Sequence, residues 1–356
     1  MDKMNNKIHH IVIAIIIVIL LLLLYFFGGP GRYTHLDSGY RPVMGTFARV
    51  VAVAKDSNSA KKCIESALAE IIKVDDLMSD YKDDSEVTLV NKNAFNQPVK
   101  VSQSTFEVLQ KSIEFSRLSD GAFDITVGPL VDLWHRAAEA NSVPSDDELS
   151  VALSKVGYEK LILDTNEMTV QFAVDGMRID LGGIAKGYAV DKAVHAIQNC
   201  GAIGAMVSIG GDIRCFGVPP AGRTHWLIGL QDPNDKIANP KSEILNPLEM
   251  GAPLLVLKLK DSSVSTSGHY WRFAQIQGKK YSHIIDTKSG YSCDKLASVT
   301  IIAKDATATD ALATAVIILG AEKGLALIEK IPQTEAILIT SQNEIIKTPA
   351  AEKYIK

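Results

Sequence analysis

The sequence predicts an α+β fold with a mostly antiparallel sheet. Three observations carry this prediction. Strand-like and helix-like stretches alternate irregularly instead of as repeated βαβ units, two apolar stretches flank a polar turn at 164–167, and no internal repeat period is present. In chain order, residues 48–54 alternate like a strand. Residues 59–78 carry Ile64, Leu68, Ile71, Ile72 and the run 74–77 at helical spacing, and 105–118 repeat that spacing with Phe106, Leu109, Ile113 and Phe115. Residues 161–163 and 169–173 form the hairpin. Residues 178–181 read as a short strand, followed by Gly182-Gly183 and a helix over Ala185–Asn199 that Gly201 stops. Further strands are read at 206–209, 226–230, 254–260, 298–303 and 336–340, and helices at 308–319 and 321–330. The Pro/Gly/Asn-rich stretches 218–224 and 232–252 read as surface loops.

The 356 residues include 37 basic and 41 acidic side chains, a formal charge of −4, and 47% hydrophobic residues, which is globular composition. No run of Lys and Arg exceeds two residues, so the basic stripe of a nucleic-acid binder is missing. Residues 11–27 are uncharged, and all but Ala14 and Tyr25 are Ile, Val, Leu or Phe. As a helix they would span roughly 25 Å, and their side chains would favour insertion by about 5–9 kcal/mol at most. Lys3 and Lys7 precede them, which predicts a cytoplasmic residues 1–10, a single membrane span at 11–27, a tether at 28–40 and an exported body at 41–356. The segment Gly28-Gly29-Pro30-Gly31-Arg32 offers no A-x-A cleavage site, so the anchor is expected to stay attached. Cys63, Cys200, Cys215 and Cys293 are widely spaced, with no C-x-x-C and no zinc pattern. They read as small buried apolar side chains, although a disulfide is open to a protein outside the cytoplasm.

Several segments combine glycine with acids or hydroxyls. Residues 179–188 (Ile-Asp-Leu-Gly-Gly-Ile-Ala-Lys-Gly-Tyr) place Gly182-Gly183 between a strand and a helix start, where an anion or a tight turn fits. The segment is neither a P-loop, since Tyr188-Ala189 stand where Lys-Ser/Thr would be, nor G-x-G-x-x-G. Ser208-Ile209-Gly210-Gly211-Asp212 is a second strand ending in glycines and an acid. Asp310 and Thr314 stand one turn apart on a small-residue helix, two hard oxygens suited to Mg²⁺, or else a first-turn acid beside a helix dipole. His283 lies in an apolar run, Ser265-Thr266-Ser267-Gly268 reads as a polar loop, and Asp124 sits among apolar residues where a carboxylate needs a partner.

Met44-Gly45-Thr46, Ser79-Asp80-Tyr81 with Ser85-Glu86-Val87 and Asn91, the runs 121–133, 180–191 and 210–213, residues 283–286 with Gly290, and the run 310–314 occur in the order of the ApbE family. From about residue 41 to 339 the chain resembles that family of FAD:protein FMN transferases. The resemblance implies a two-lobed α+β fold with FAD between the lobes, and transfer of FMN from FAD to a threonine of a target protein with release of AMP. It implies that Met44, Tyr81, Ala122, Phe123, Asp124, Asp180, Lys186 and Ile284 line the FAD site. Mg²⁺ would be held by Asp310, Thr314 and the carbonyl of Gly183, and His283 would be the general base. The family's acceptors are subunits of redox-driven ion pumps and related exported flavoproteins. Family members often have Pro after the Asp of the His-x-Ile-Asp motif, whereas Thr287 stands here. An FAD pyrophosphatase would use the same residues, and a flavin-binding assembly protein would keep the pocket without turnover.

Overall fold

The structure, a computed structural model, describes residues 16–19, 33–220, 222–233, 251–268 and 273–356. The predicted membrane span at 11–27 lies outside the described residues except for 16–19. Among the described residues no helix is long and apolar enough to cross a membrane.

The elements are β1 (Thr34–Asp37), β2 (Arg41–Val43), β3 (Thr46–Ala54), α1 (Ser57–Met78), α2 (Glu86–Asn93), β4 (Val99–Lys100), α3 (Gln103–Leu118), α4 (Gly128–Glu139), α5 (Asp146–Leu153), β5 (Leu161–Asp164) and β6 (Thr169–Phe172). They continue with α6 (Ala185–Asn199), β7 (Gly204–Ile209), β8 (Asp212–Gly217), β9 (Trp226–Leu230), β10 (Leu255–Leu259), β11 (Ser262–Gly268), β12 (Phe273–Ile276) and β13 (Lys279–Ser282). The chain closes with β14 (Leu296–Ala303), α7 (Ala306–Leu319), α8 (Ala321–Ile328), β15 (Glu335–Thr340) and β16 (Ile345–Lys347).

Among the described residues the main sheet has nine strands in the order β1-β3-β7-β8-β11-β14-β15-β16, with β2 on β3. All of its pairings are antiparallel, as the sequence predicts. The sheet starts at Thr34, inside the stretch read as a tether, because Thr34 pairs with Ala54 and Asp37 with Val51.

Period-two burial sorts the sheet's side chains onto two faces. Val50, Val207, Val299, Ile301 and Leu338 join α1, α6 and α7 in the largest core. Val51, Val53, Val264, Ile302 and Ile337 face a second core closed by the β9–β10 hairpin. A third core joins α4 and α5 to the β12–β13 hairpin through Leu130, Trp134, Leu149 and Ile276. In α1, Ala60, Cys63, Ile64, Ala67, Ile71, Val74 and Met78 are buried at three- and four-residue spacing, and Asp56 caps its start through Ser59 N. Burying Ile71 and Val74 contributes about 1.5–3 kcal/mol each.

Two readings are corrected. Residues 265–268, read as a polar loop, belong to β11, a strand inside the main sheet. Three of its hydroxyls find partners inside the protein: Ser265 Oγ is 2.7 Å and Ser263 Oγ 3.3 Å from Thr309 Oγ1 on α7, and Thr266 Oγ1 is 2.9 Å from Thr300 Oγ1. Small side chains let α7 lie close to the sheet, and the hydroxyl pairs replace apolar contact. Residues 178–181 pair with no strand. The side chain of Asn91 instead accepts from Ile179 N (2.8 Å) and donates to Ile179 O (3.0 Å), and Asp180 N donates to Ile125 O.

Two of the four cysteines are joined. Cys63 in α1 and Cys200 after α6 form a disulfide with Cα atoms 5.4 Å apart across 137 residues of sequence, while Cys215 and Cys293 are buried thiols. Replacing Cys63 and Cys200 by alanine is expected to lower stability by about 2–4 kcal/mol. The readout is the denaturant midpoint under non-reducing conditions; an unchanged midpoint would show that the bridge constrains nothing.

Candidate active site

Lys186, Gly183, Asp310 and Thr314, singled out in the sequence, come together where α6, α7 and β8 meet. Glycines open the turn before α6, and Asp180 holds it by accepting from Gly182 N at 2.7 Å. The first turn of α6 then presents Lys186 and Gly187 to α7. Lys186 Nζ donates to Gly182 O (3.2 Å) and to both carboxylate oxygens of Asp310 (3.2 Å each). It also lies 2.9 Å from Asp212 Oδ2 at the start of β8. Gly187 N donates to Asp310 Oδ2 at 3.0 Å.

Both carboxylates are almost fully buried. Burial opposes the charge on Lys186, but Asp212 and Asp310 outweigh it and hold its pKa above the ordinary lysine value. For Asp310, burial first and the Asp212 charge second push the pKa up to about 7, against the pull of Lys186 and Gly187 N. Two carboxylates around one ammonium oppose each other's ionisation, and a bound cation would favour the charged form of both.

The donors beside that charge suit a hard cation. Gly183 faces Thr314: a Cβ added to Gly183 would stand 3.1 Å from Thr314 Oγ1 and 3.3 Å from Phe123 Cε2. Asp310 and Thr314, one turn apart on α7, therefore bring a carboxylate and a hydroxyl beside the Gly183 backbone. No group of three or more His, Cys, Asp or Glu side chains able to hold a metal exists among the described residues, so a zinc-type set is missing there. One carboxylate with neutral oxygens fits Mg²⁺, which takes its remaining ligands from water or phosphate.

The other predicted residues are held by contacts of their own. Phe123 is buried edge-on to Phe115, with ring centroids 6.4 Å apart. The Asp124 carboxylate accepts from Thr126 N, Thr126 Oγ1 and Tyr158 N at 2.7–2.8 Å, and burial raises its pKa. Its oxygens are thus engaged in clasping the chain, so Asp124 holds the shape of the 122–126 turn. Tyr81 is 86% exposed, and its loop is tied down by Arg178, whose guanidinium bridges Asp80 (2.8 Å) and Asp132 (2.5 Å). Met44 occupies the β2–β3 turn at φ 51°, and Phe47 O on the β3 strand that follows accepts from Gly210 N of the Gly210-Gly211 turn.

His283 is exposed at the end of β13, and Ile284 beside it is buried. The following turn is clamped to the Phe123 segment: Thr287 Oγ1 donates to Gly121 O at 2.6 Å, and Trp134 Nε1 donates to Gly290 O at 2.8 Å. Thr287, the departure from the family pattern, thus supplies a tie that proline could not. Asp212 is the functional residue that sequence reasoning left unassigned. The glycine-acid end of its strand was visible, but its pairing with Lys186 was not.

The sequence profile described as the ApbE family matches residues 44–338. The FAD:protein FMN transferase of Vibrio cholerae is 31% identical over 329 residues, covering 91% of this chain and 92% of that protein. The protein of the same name from Treponema pallidum is 32% identical over 311 residues, covering 83% and 82%. Among solved structures, the ApbE protein of Thermotoga maritima superposes with a TM-score of 0.78 at 30% identity, covering 91% of this chain and all of that one. The flavin transferase ApbE of Vibrio cholerae gives 0.74 at 28% identity, with the same coverage. The antiparallel α+β architecture, the clustered motif residues and a match running through nearly the whole body place this chain in the ApbE family of flavin transferases.

Proposed function

We propose that this chain is a membrane-anchored, Mg²⁺-dependent transferase that moves FMN from FAD to a threonine of an exported or membrane protein, releasing AMP. The observation that carries the reading is the buried Lys186–Asp212–Asp310 cluster beside Gly183 and Thr314. Its two carboxylates and hard oxygens suit a cation that would in turn bind a pyrophosphate.

In this reading the threonine oxygen forms a bond to the phosphorus on the FMN side while the P–O bond to AMP breaks. His283 takes the threonine proton, and the departing oxygen leaves with AMP. Lys186 holds positive charge beside the reacting phosphates, and Asp212 keeps its ammonium in place. Mg²⁺, held by Asp310, Thr314 and the Gly183 carbonyl, would supply charge neutralisation on the phosphate oxygens. Met44, Tyr81, Phe123, Asp180 and Ile284 surround the flavin nucleotide, and the backbone of Ala122 and Asp124 shapes the pocket wall. Acceptors of the kind the family modifies, subunits of redox-driven pumps and related flavoproteins, are the partners. Export is supported by Lys3, Lys7 and the apolar run 11–27, and by the Cys63–Cys200 bridge, a bond characteristic of oxidising compartments.

Incubation of the full chain with FAD, Mg²⁺ and a threonine-bearing acceptor should add the mass of FMN to the acceptor. His283→Ala should slow that gain by roughly 10²–10⁴-fold while FAD affinity stays close to that of the parent. AMP release with no mass gain would replace transfer by FAD hydrolysis. For the cation, Asp310→Asn keeps the shape and removes the charge. It should raise the Mg²⁺ concentration needed for half-maximal AMP release by about 10-fold or more. An unchanged Mg²⁺ titration removes Asp310 from the site. For the anchor, N-terminal sequencing of the membrane-extracted protein should find the start upstream of residue 11; a mature start after about residue 28 contradicts an uncleaved anchor.

A further inference from the structure

A second set of buried contacts stands behind the site. The carboxylate of Asp191 on α6 accepts from Ala306 N (2.9 Å), Thr307 N (2.8 Å) and Thr307 Oγ1 (2.6 Å), the first residues of α7. Arg214 Nη1 on β8 donates to the same carboxylate at 2.5 Å. An α-helix begins with four N–H groups that have no partner inside it. In α7 the N–H groups of Ala306 and Thr307 are taken by Asp191 and that of Ala308 by the Asp305 side chain (3.0 Å), while Thr309 N makes the first intrahelical bond, to Asp305 O (3.3 Å). Half of the cap is therefore borrowed from another helix.

The contacts form a register. Gly187 meets Asp310, and Asp191, one turn later on α6, meets Ala306, one turn earlier on α7. The two helices thus run antiparallel and touch at two points a turn apart. The approach between them is tight: a Cβ on Gly187 would stand 2.2 Å from Ala306 O and 2.8 Å from Asp310 Cβ. On the other side, β8 grips α6 with two ion pairs of opposite order. Asp212 takes Lys186, and Arg214 takes Asp191. Residues 212 and 214 share a strand face, and a slip of α6 along it would bring like charges together, which disfavours any other register.

We infer that Asp191, backed by Arg214, is a positioning residue that sets the axial placement of α7 and hence of Asp310 and Thr314 against Gly183. Its bearing on metal binding rests on the function proposed above; its bearing on the helix register does not. Removing the carboxylate frees two N–H groups at the start of α7 and leaves the half-buried Arg214 without its partner. The first turn, which leads into Asp310, then loses the contact that fixes its position.

The test uses the full chain as Asp191→Asn and Asp191→Ala, with Ile337→Ala as control. Ile337 lies in the core on the opposite face of the sheet, so its truncation lowers stability without touching α6 or α7. Amide hydrogen exchange and Mg²⁺ titration by calorimetry are both read below the unfolding temperature. Expected are faster exchange at residues 306–310 than in the control and Mg²⁺ binding weaker by about 10–100-fold, the usual effect of losing a partner behind a metal ligand. Asp191→Asn, which keeps one acceptor oxygen and the shape, should fold where the alanine variant does not, with the same changes in smaller measure. Exchange no faster than in Ile337→Ala, or Mg²⁺ affinity equal to the control's, overturns the inference. If the parent chain binds no Mg²⁺, the functional reading falls and the exchange measurement alone decides the register role.

Discussion

Two buried carboxylates, Asp212 and Asp310, share the single ammonium of Lys186, and much of the surrounding architecture keeps those three groups together. Removing one partner of a buried pair costs about 3–5 kcal/mol, because the charge left behind has no water to turn to. Here two acids compete for one ammonium, and the fold adds donors to the second of them. Gly187 N points at Asp310, and the start of α6 lies beside it. Such close approach explains why glycines crowd the segment from 182 to 187. At Gly183 and Gly187 a methyl group would occupy the space of a functional oxygen or a helix backbone.

The elements with a strong periodic signal were legible in the sequence. The apolar spacing of α1, the glycine after α6 and the apolar run of β14 led to segments within a few residues of those observed. Elements governed by local chemistry were missed. Residues 145–148 carry a capping box, with Ser145 and Glu148 reciprocally bonded, and start α5. Pro129 stands at the start of α4, a position where its missing N–H costs nothing. Strand β11 could not be read from polarity at all. Ser263 and Ser265 are buried and Thr266 half-buried with Thr309 and Thr300 opposite them, partners that only the tertiary structure brings near.

The site shows the same division. Residue types and spacing singled out Asp310 with Thr314, the 182–183 glycines and the 210–212 turn, and the order of the motifs brought the family into view. What the sequence left open was which side chains face one another. Asp212 reaches Lys186 across 26 residues of chain, as 212 minus 186, and neither strand nor helix periodicity encodes that pairing. Asp124 shows the converse. Its acidic character among apolar neighbours suggested a ligand, yet three donors of the protein itself already occupy its oxygens.

The hydrogen bonds that close the site span long stretches of chain: 124 residues between Lys186 and Asp310, and 166 between Gly121 and Thr287. Closing such loops costs entropy that local structure cannot repay, so contacts of this range form late and slowly as a chain folds. The helices and hairpins can assemble beforehand, but none of them alone carries more than a fragment of the pocket. Competence to bind is therefore acquired near the end of folding, in one cooperative event. A chain stalled with α7 undocked has no half-built site.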